Sequence, residues 1–230
     1  MLRRLIKASA IVIGVGLAVA ACSAVKMGAA AIVGNQRITI ATLDTEVTNL
    51  SQAAQQYPAQ VNLTASQQTQ ATLTWLIRYQ INDEVARQAG ITVSTAQAEA
   101  ALTQALASAT SAAEQQGLTH VTPTLILAAS GIPPNTSPEL GRYESIANQY
   151  LVIANGGTAP AAGSAAQTAA DNKLNQAECQ AAKALNISVN PQFGQLDYNG
   201  YQVVAAPATV TRAQGPVKAA ASSPATAPAC

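Results

Sequence analysis

Residues 69–94 read TQATLTWLIRYQINDEVARQAGITVS and carry the strongest helix signal in the chain. Their apolar residues recur at intervals of three and four, the spacing that places side chains on one face of an α-helix. This face comprises Leu73, Leu76, Ile77, Ile81, Val85 and Ala89. Gly90 followed by Ile91 is typical of a helix end with a left-handed glycine and an apolar contact back to the last turn. The stretch therefore predicts a long helix from about Thr69 to Ala89 with one face in a core.

The chain after this helix contains three further helix start signals. Ser94 and Gln97 form a capping box, in which each side chain hydrogen-bonds the backbone of the other residue. Thr122-Pro123 and Ser137-Pro138 each place an N-cap residue before the proline favoured at the first helical position. The three signals predict helices that end near residues 116, 130 and 154.

The chain before the long helix predicts one more helix. Thr39 is the expected N-cap, and the apolar residues that follow have helical spacing. They are Ile40, Leu43, Val47 and Leu50. The Gln-rich residues 51–70, which include Pro58, are interpreted as a frayed or looped stretch.

Both ends of the folded region predict a small β element. Residues 29–38 read as two short strands around a Gly34-Asn35 turn, and residues 187–204 read as extended. Between the helix that ends near residue 154 and this extended stretch, an alanine-rich helix is expected from about Ala165 to Leu185. The predicted fold class is therefore mainly α, with a small β element formed from the N- and C-terminal ends of the folded region.

The N-terminus has the pattern of a secretory signal peptide. Arg3, Arg4 and Lys7 precede an uncharged, mostly apolar stretch at residues 8–21. That stretch is shorter than the roughly 20 residues that a membrane-spanning helix needs. Cleavage would remove three cations and change the net charge of the chain from +1 to −2.

The end of this stretch, Val19-Ala20-Ala21-Cys22, resembles the lipobox of bacterial lipoproteins. The resemblance implies cleavage between Ala21 and Cys22 and lipidation of the Cys22 thiol. Two acyl chains are sufficient for stable anchoring without a transmembrane helix. The protein is therefore expected at the cell membrane, lipid-anchored on the extracytoplasmic face. The alternative is an uncleaved apolar anchor that stops at Lys26.

These signals divide the chain into four parts. The domain prediction is a signal peptide at 1–21, a tether at 22–28, a helical domain at 29–204 with a linker at 158–166, and a disordered Pro/Ala-rich tail at 205–230.

The cysteines leave two alternatives open. If Cys22 carries lipid, Cys179 and Cys230 remain in a compartment where disulfides persist. A Cys179–Cys230 bridge would close a loop of about 50 residues and contribute about 2–4 kcal/mol. The other interpretation is two unpaired thiols, one buried and one at a mobile end.

The composition argues against catalysis and against nucleic-acid binding. With 12 Lys+Arg and 11 Asp+Glu, the chain lacks the basic surface that binds a phosphate backbone. His120 is the only histidine, and Glu114 is the only carboxylate near it in sequence. A nucleophilic or metal site needs several such groups together. We predict no enzyme activity, no cofactor and no metal site, and interpret His120 as solvent-exposed or cap-bonded.

The carboxylates Asp83 and Glu84 are adjacent on the long predicted helix. Neighbouring residues of a helix point about 100° apart, which disfavours a paired acid/base role. Pairs of Arg87 with Glu84 and with Asp83 are expected on the helix surface.

Four aromatic residues are candidate contacts for a bound polypeptide: Trp75, Tyr79, Tyr143 and Tyr150. Their surroundings are rich in Ala, Gln and Thr, which would form an uncharged and weakly apolar groove. The competing interpretation is that they are core residues, as aromatic residues at helical spacing usually are.

Three stretches together resemble the N-terminal chaperone region of the SurA/PrsA-type peptidyl-prolyl isomerases and related actinobacterial lipoproteins. Residues 30–47 are similar to the opening strand, turn, I-T cap and first helix of that family, and residues 73–94 to the helix that ends in A-x-x-x-G-I-x-V-S. Residues 189–197 are similar to an N-P-R-F-G-x-W segment, although Gln192 and Leu196 replace its Arg and Trp.

The resemblance implies a helical scaffold without the isomerase. In two-domain relatives a parvulin domain is inserted between the central and C-terminal helices, where this chain has only residues 155–166, and His120 lies outside that interval. The expected function is that of a non-catalytic chaperone or holdase for unfolded or nascent secreted polypeptides. The alternative is an envelope lipoprotein with a structural or ligand- and partner-binding role on the same scaffold.

Overall fold

The computed structural model describes residues 28–206. The predicted signal peptide, the lipidation site Cys22 and the cleavage site Ala21/Cys22 lie outside the described residues, as do nearly all of the predicted tail and Cys230.

The described chain is mainly helical, as predicted. Its α-helices are α1 (Ile40–Gln56), α2 (Ala65–Ala89), α3 (Thr95–Gln115), α4 (Pro123–Ala129), α5 (Ser137–Ala154) and α6 (Ala165–Leu185). Its strands are β1 (Ala29–Val33), β2 (Gln36–Thr39), β3 (Ser188–Val189), β4 (Gln195–Asp197) and β5 (Gln202–Val204).

The two ends of the domain meet in one antiparallel sheet with the order β2-β1-β3. Ala31 lies opposite Val189, and Ile32 opposite Ser188. The Asn190 side chain extends the pairing by donating to the Ala29 carbonyl at 3.0 Å. The predicted small β element from both ends is therefore confirmed.

The extended stretch at 187–204 is not one strand, because the chain turns twice within it. After β3, the strands β4 and β5 form a separate antiparallel hairpin in which Leu196 lies opposite Val203. Val203 N–H donates to the Thr74 hydroxyl at 2.8 Å, so the hairpin is fixed to α2.

Helix α2 is the centre of the main core. Leu73, Ile77, Ile81 and Val85 from its apolar face are buried together with residues from α1, the three-stranded sheet, α6 and the hairpin. The other members of this cluster include Leu43, Val33, Ala181, Leu196 and Val203. The long apolar stripe of the sequence therefore forms the core that it predicts.

Three predicted boundaries are wrong: the end of α1, the start of α2 and the start of α5. Residues 51–70 are mostly helical, because α1 continues to Gln56 and α2 begins at Ala65. The start of α2 is a complete capping box between Thr64 and Gln67, which satisfies the first free N–H groups of the helix.

Ser137 is the first residue of α5 and not its N-cap. A 3-10 turn at Pro134–Thr136 precedes the helix and makes Thr136 the cap residue. The Thr136 hydroxyl accepts no capping bond from the helix and donates to the Pro133 carbonyl at 2.9 Å. By contrast, the predicted caps Thr39, Ser94 and Thr122 and the left-handed Gly90 are confirmed.

No helix between residues 28 and 206 combines the length and the apolar character that crossing a bilayer requires.

Candidate functional site

Three of the four aromatic residues predicted to contact a polypeptide form one cluster. Trp75 and Tyr79 of α2 lie with ring centroids 5.9 Å apart, and Tyr143 of α5 lies 5.9 Å from Trp75 and 6.3 Å from Tyr79. The Trp75–Tyr143 pair is edge-to-face, an arrangement favoured by the charge distribution of the rings. Tyr150 lies apart, packed against the main core and the cluster around Ile146.

The cluster is partly core and partly surface. Tyr79 is buried, with 6% of its surface exposed, and its hydroxyl lies 3.1 Å from the Thr136 hydroxyl. Burial raises the pKa of Tyr79 well above its ordinary value and that of Tyr143 to about 12. Trp75 is half-buried and its indole N–H donates to the Ser130 carbonyl at 3.3 Å. Tyr79 is therefore a core residue, and Trp75 and Tyr143 can also line a surface site.

Three cavities surround this cluster. We name the first the α6 cavity: it has a volume of about 460 Å³ and is lined by Arg78, Ile81, Tyr143, Asn175, Glu178, Gly200 and Tyr201. The hairpin cavity, of about 410 Å³, is lined mainly by Gln67, Gln70, Trp75, Arg78, Ser130 and residues 202–205. The α1 cavity, of about 280 Å³, is lined mainly by Arg37, Glu46, Tyr79, Asp83, Glu139, Arg142 and Tyr143.

Arg78 joins two of these cavities, since it lines both the α6 cavity and the hairpin cavity. Its Nη2 donates to the Gly200 carbonyl at 2.6 Å, and its guanidinium carbon lies 5.2 Å from the centre of the Trp75 ring. A guanidinium at this distance is attracted to the ring face. These contacts hold the tip of the β4–β5 hairpin against α2.

Glu178 of α6 faces the same cavity as Arg78. Burial raises the pKa of the Glu178 carboxyl, and the positive charge of Arg78 opposes that rise. Within residues 28–206, the ion pairs closer than 4.0 Å are Arg87–Glu84 and Arg142–Asp83. Glu178 is thus close enough to Arg78 to be influenced by its charge, yet is not paired with it.

Tyr201 also lines the α6 cavity, and its backbone has an unusual conformation. Its φ is +54°, in the left-handed region, and the preceding Gly200 has a φ of +98°. A residue other than glycine in this region costs about 1–3 kcal/mol and is found where surrounding structure or function requires it. Here the conformation places Tyr201, in the turn between β4 and β5, at the α6 cavity.

The α1 cavity contains one ion pair and two further carboxylates, Glu46 and Glu139, that make no ion pair within 4.0 Å among residues 28–206. Arg142 Nε donates to Asp83 Oδ1 at 2.7 Å, joining α5 to α2. The predicted Asp83–Arg87 pair is therefore wrong, because Asp83 pairs with Arg142, whereas the predicted Glu84–Arg87 pair is confirmed. Burial, followed by repulsion from Glu139, raises the pKa of Glu46.

His120 is solvent-exposed, as expected, in the connector between α3 and α4. Its φ of +57° lies in the left-handed region, which histidine tolerates better than most side chains. In the described part of the chain, no three of the residue types His, Cys, Asp and Glu lie close enough to hold a metal ion.

Cys179 is half-buried on α6, next to Glu178, and is disulfide-bonded. The other two cysteines of the chain lie outside the described residues, so its pairing with Cys230 stays a prediction.

The most informative residues of the site were not predicted from the sequence. Arg78, Glu178 and Tyr201 come from three distant segments, and each alone resembles an ordinary surface or strand residue. The sequence feature that could have identified the site is Arg78, a cation between Ile77 and Tyr79, which are both buried.

Comparisons of the chain with protein-family models, with curated proteins and with solved structures found no match. The geometry itself describes a concave surface with a mixed aromatic and polar lining.

Proposed function

We propose that this protein is a membrane-anchored extracytoplasmic lipoprotein that holds unfolded exported polypeptides without catalysing a reaction on them. The observation that carries the proposal is that three separate cavities adjoin one another along α2. The α6 and hairpin cavities share Arg78, and the α6 and α1 cavities share Tyr143. Adjoining cavities offer an extended segment several places in which to seat its side chains.

The lining of the hairpin cavity suits clients of different sequence. Gln67, Gln70 and Gln202 present amides that can both donate and accept hydrogen bonds, and Trp75 presents an aromatic surface. Aromatic side chains contribute contact area to apolar and polar partners alike. Such a surface recognises polypeptide in general and not one sequence.

The anchor would keep this surface near the bilayer. Residues 22–28 separate the proposed lipid on Cys22 from β1, which begins at Ala29. Seven extended residues span at most about 25 Å. A lipidated Cys22 therefore supports a role on polypeptides that emerge at the membrane surface.

The binding proposal is tested by suppression of aggregation of a reduced, unfolded secreted protein. We expect several-fold excess of the wild-type protein to suppress light scattering. Gln70→Trp, which fills the hairpin cavity, should weaken the suppression, whereas Gln104→Trp on the exposed side of α3 should leave it unchanged. Absence of suppression by the wild type would contradict the proposal and favour a structural or partner-binding role.

The anchor is tested separately in cells. Cys22→Ala should abolish incorporation of labelled fatty acid and leave uncleaved precursor; continued labelling would refute lipidation at this residue. Non-reducing peptide mass spectrometry should find a Cys179–Cys230 peptide, and a different partner for Cys179 would contradict that pairing.

A further inference from the structure

The α6 cavity has features that holding a polypeptide does not require. Its volume of about 460 Å³ lies in the range of small-molecule sites. Its walls come from α2, α5, α6 and the tip of the β4–β5 hairpin, and they bring together a guanidinium, a carboxylate, an amide and two phenol rings. Sites of this kind bind small polar ligands through a few convergent groups.

The two opposite charges in this cavity, on Arg78 and Glu178, remain available to bind a ligand. Arg78 donates to the Gly200 carbonyl, but a guanidinium has five N–H donors and one such bond leaves others unused. The Glu178 carboxylate has no ion-pair partner within 4.0 Å among residues 28–206. Separating opposite charges across a partly desolvated cavity costs energy that a ligand with complementary charges would recover.

The other residues that line the α6 cavity determine which part of a ligand can lie between Arg78 and Glu178. Tyr143 and Tyr201 supply aromatic surface and Ile81 supplies aliphatic surface. Tyr201 reaches this position from a left-handed backbone conformation, with φ at +54°. Asn175 adds an amide that can donate to a carboxylate or accept from an ammonium group.

We propose that the α6 cavity binds a free α-amino acid with an apolar or aromatic side chain, its carboxylate on Arg78 and its ammonium group on Glu178. The side chain then packs against Tyr143 and Tyr201. A ligand with one charge would leave the other protein charge unpaired and repelled, which disfavours simple amines and simple carboxylates.

The proposal does not depend on the polypeptide-holding function. A free amino acid occupies the α6 cavity alone, whereas an extended client also uses the hairpin cavity. Gln70→Trp, which fills the hairpin cavity, should therefore leave amino-acid binding unchanged even though it weakens client binding.

The experiment is a calorimetric titration of the purified full-length protein with four related probes. L-phenylalanine has both charges, phenethylamine only the ammonium group, 3-phenylpropionate only the carboxylate, and N-acetylphenylalanine amide neither. We expect L-phenylalanine to bind at least about tenfold more tightly than each of the others, because charge-assisted hydrogen bonds at both ends contribute only for the zwitterion. Equal binding of the capped amide, or no binding of L-phenylalanine, would overturn the proposal.

The charge variants give a second and more specific result. Glu178→Gln should weaken L-phenylalanine binding about tenfold and strengthen binding of 3-phenylpropionate, because the repulsion between two carboxylates is removed. The matched control is Glu99→Gln on the exposed face of α3, which should change neither affinity. Circular dichroism and thermal unfolding identify any variant that fails to fold. A folded Glu178→Gln variant with unchanged selectivity among the four probes would also overturn the proposal.

Discussion

Tyr143 lines both the α6 cavity and the α1 cavity, and each cavity contains arginine and carboxylate groups. The two cavities differ in whether an arginine pairs with a carboxylate of the same cavity. In the α1 cavity Arg142 donates to Asp83 at 2.7 Å. In the α6 cavity Arg78 donates to a main-chain carbonyl, and Glu178 has no pairing partner among the described residues. The comparison shows that charge content alone does not identify a binding site. What distinguishes the two cavities is that Arg142 pairs with a carboxylate of its own cavity, whereas Arg78 and Glu178 do not pair with each other.

The largest expected effect comes from the helix that both cavities share. Ile77 is fully buried on α2, between the residues that line the two cavities. Ile77→Ala should lower the free energy of unfolding by about 2–5 kcal/mol through lost burial and a residual cavity. Chemical denaturation measures the change. Leu118→Ala, at a residue with 41% of its surface exposed, is the control and should change stability by less than about 0.5 kcal/mol.

The next largest effect compares the stability contributions of two residues of the aromatic cluster: Tyr79, which is a core residue, and Tyr143, which lines two cavities. Tyr79→Phe removes a buried hydroxyl that lies 3.1 Å from the Thr136 hydroxyl and should cost about 1 kcal/mol. The cost stays moderate because Thr136 keeps its bond to the Pro133 carbonyl. Tyr143→Phe should cost less in the same denaturation experiment. An equal or larger cost for Tyr143→Phe would mean that its hydroxyl is as important to the fold as that of Tyr79.

Two smaller changes in stability, of opposite direction, directly test the comparison between the charges of the two cavities. Asp83→Asn should destabilise the protein by at most about 1 kcal/mol, because both partners of its ion pair are 42% exposed and screened by solvent. Glu178→Gln should leave stability unchanged or raise it, since it removes a partly desolvated carboxylate without breaking an ion pair. Denaturation at low and high salt measures both. A loss of stability in Glu178→Gln larger than that in Asp83→Asn would contradict the distinction between the two cavities.

The smallest expected effect is a pH dependence of Glu178. Burial raises the pKa of Glu178 above the ordinary 4.5, so the folded state binds its proton at a higher pH than the unfolded state does. As the pH falls from 7 toward 4.5, the wild-type protein should therefore become more stable relative to the Glu178→Gln variant. As the pH rises through the pKa that Glu178 has in the folded state, this gain in stability should disappear. The stability difference between the two proteins, measured across this range, reports the effect. A difference that moves in the other direction would mean that Glu178 is stabilised as a carboxylate in the folded state.

Most of the secondary structure could be predicted because its signals are local. The cap at Thr39, the capping box at Ser94 and the break at Gly90 act through residues within one helical turn, and each has its predicted role. The start of α2 is also set by a local signal, the Thr64–Gln67 capping box, which the Gln-rich composition of the stretch masks. The predicted cap at Ser137 is wrong because the 3-10 turn at Pro134–Thr136 leads directly into α5, so that Ser137 is already helical.

The candidate site could be predicted only in part. Trp75, Tyr79 and Tyr143 meet because helical spacing places them on the faces of α2 and α5 that pack together. The partner of Asp83 was predicted as Arg87, one turn away, but is Arg142, 59 residues later. A pair at that separation depends on how two helices cross, which no local pattern contains.

The sequence by itself determined where most of the helices begin and end, which face of α2 is buried and that both ends of the domain form a sheet. These features depend on interactions between neighbouring residues and on the period of the apolar pattern. Only the tertiary structure decided that Arg78, Glu178 and Tyr201 surround one cavity. Their proximity results from the packing of α6 and the β4–β5 hairpin against α2. The pairing of charges within that packing depends on distances of a few ångströms that residue order does not specify.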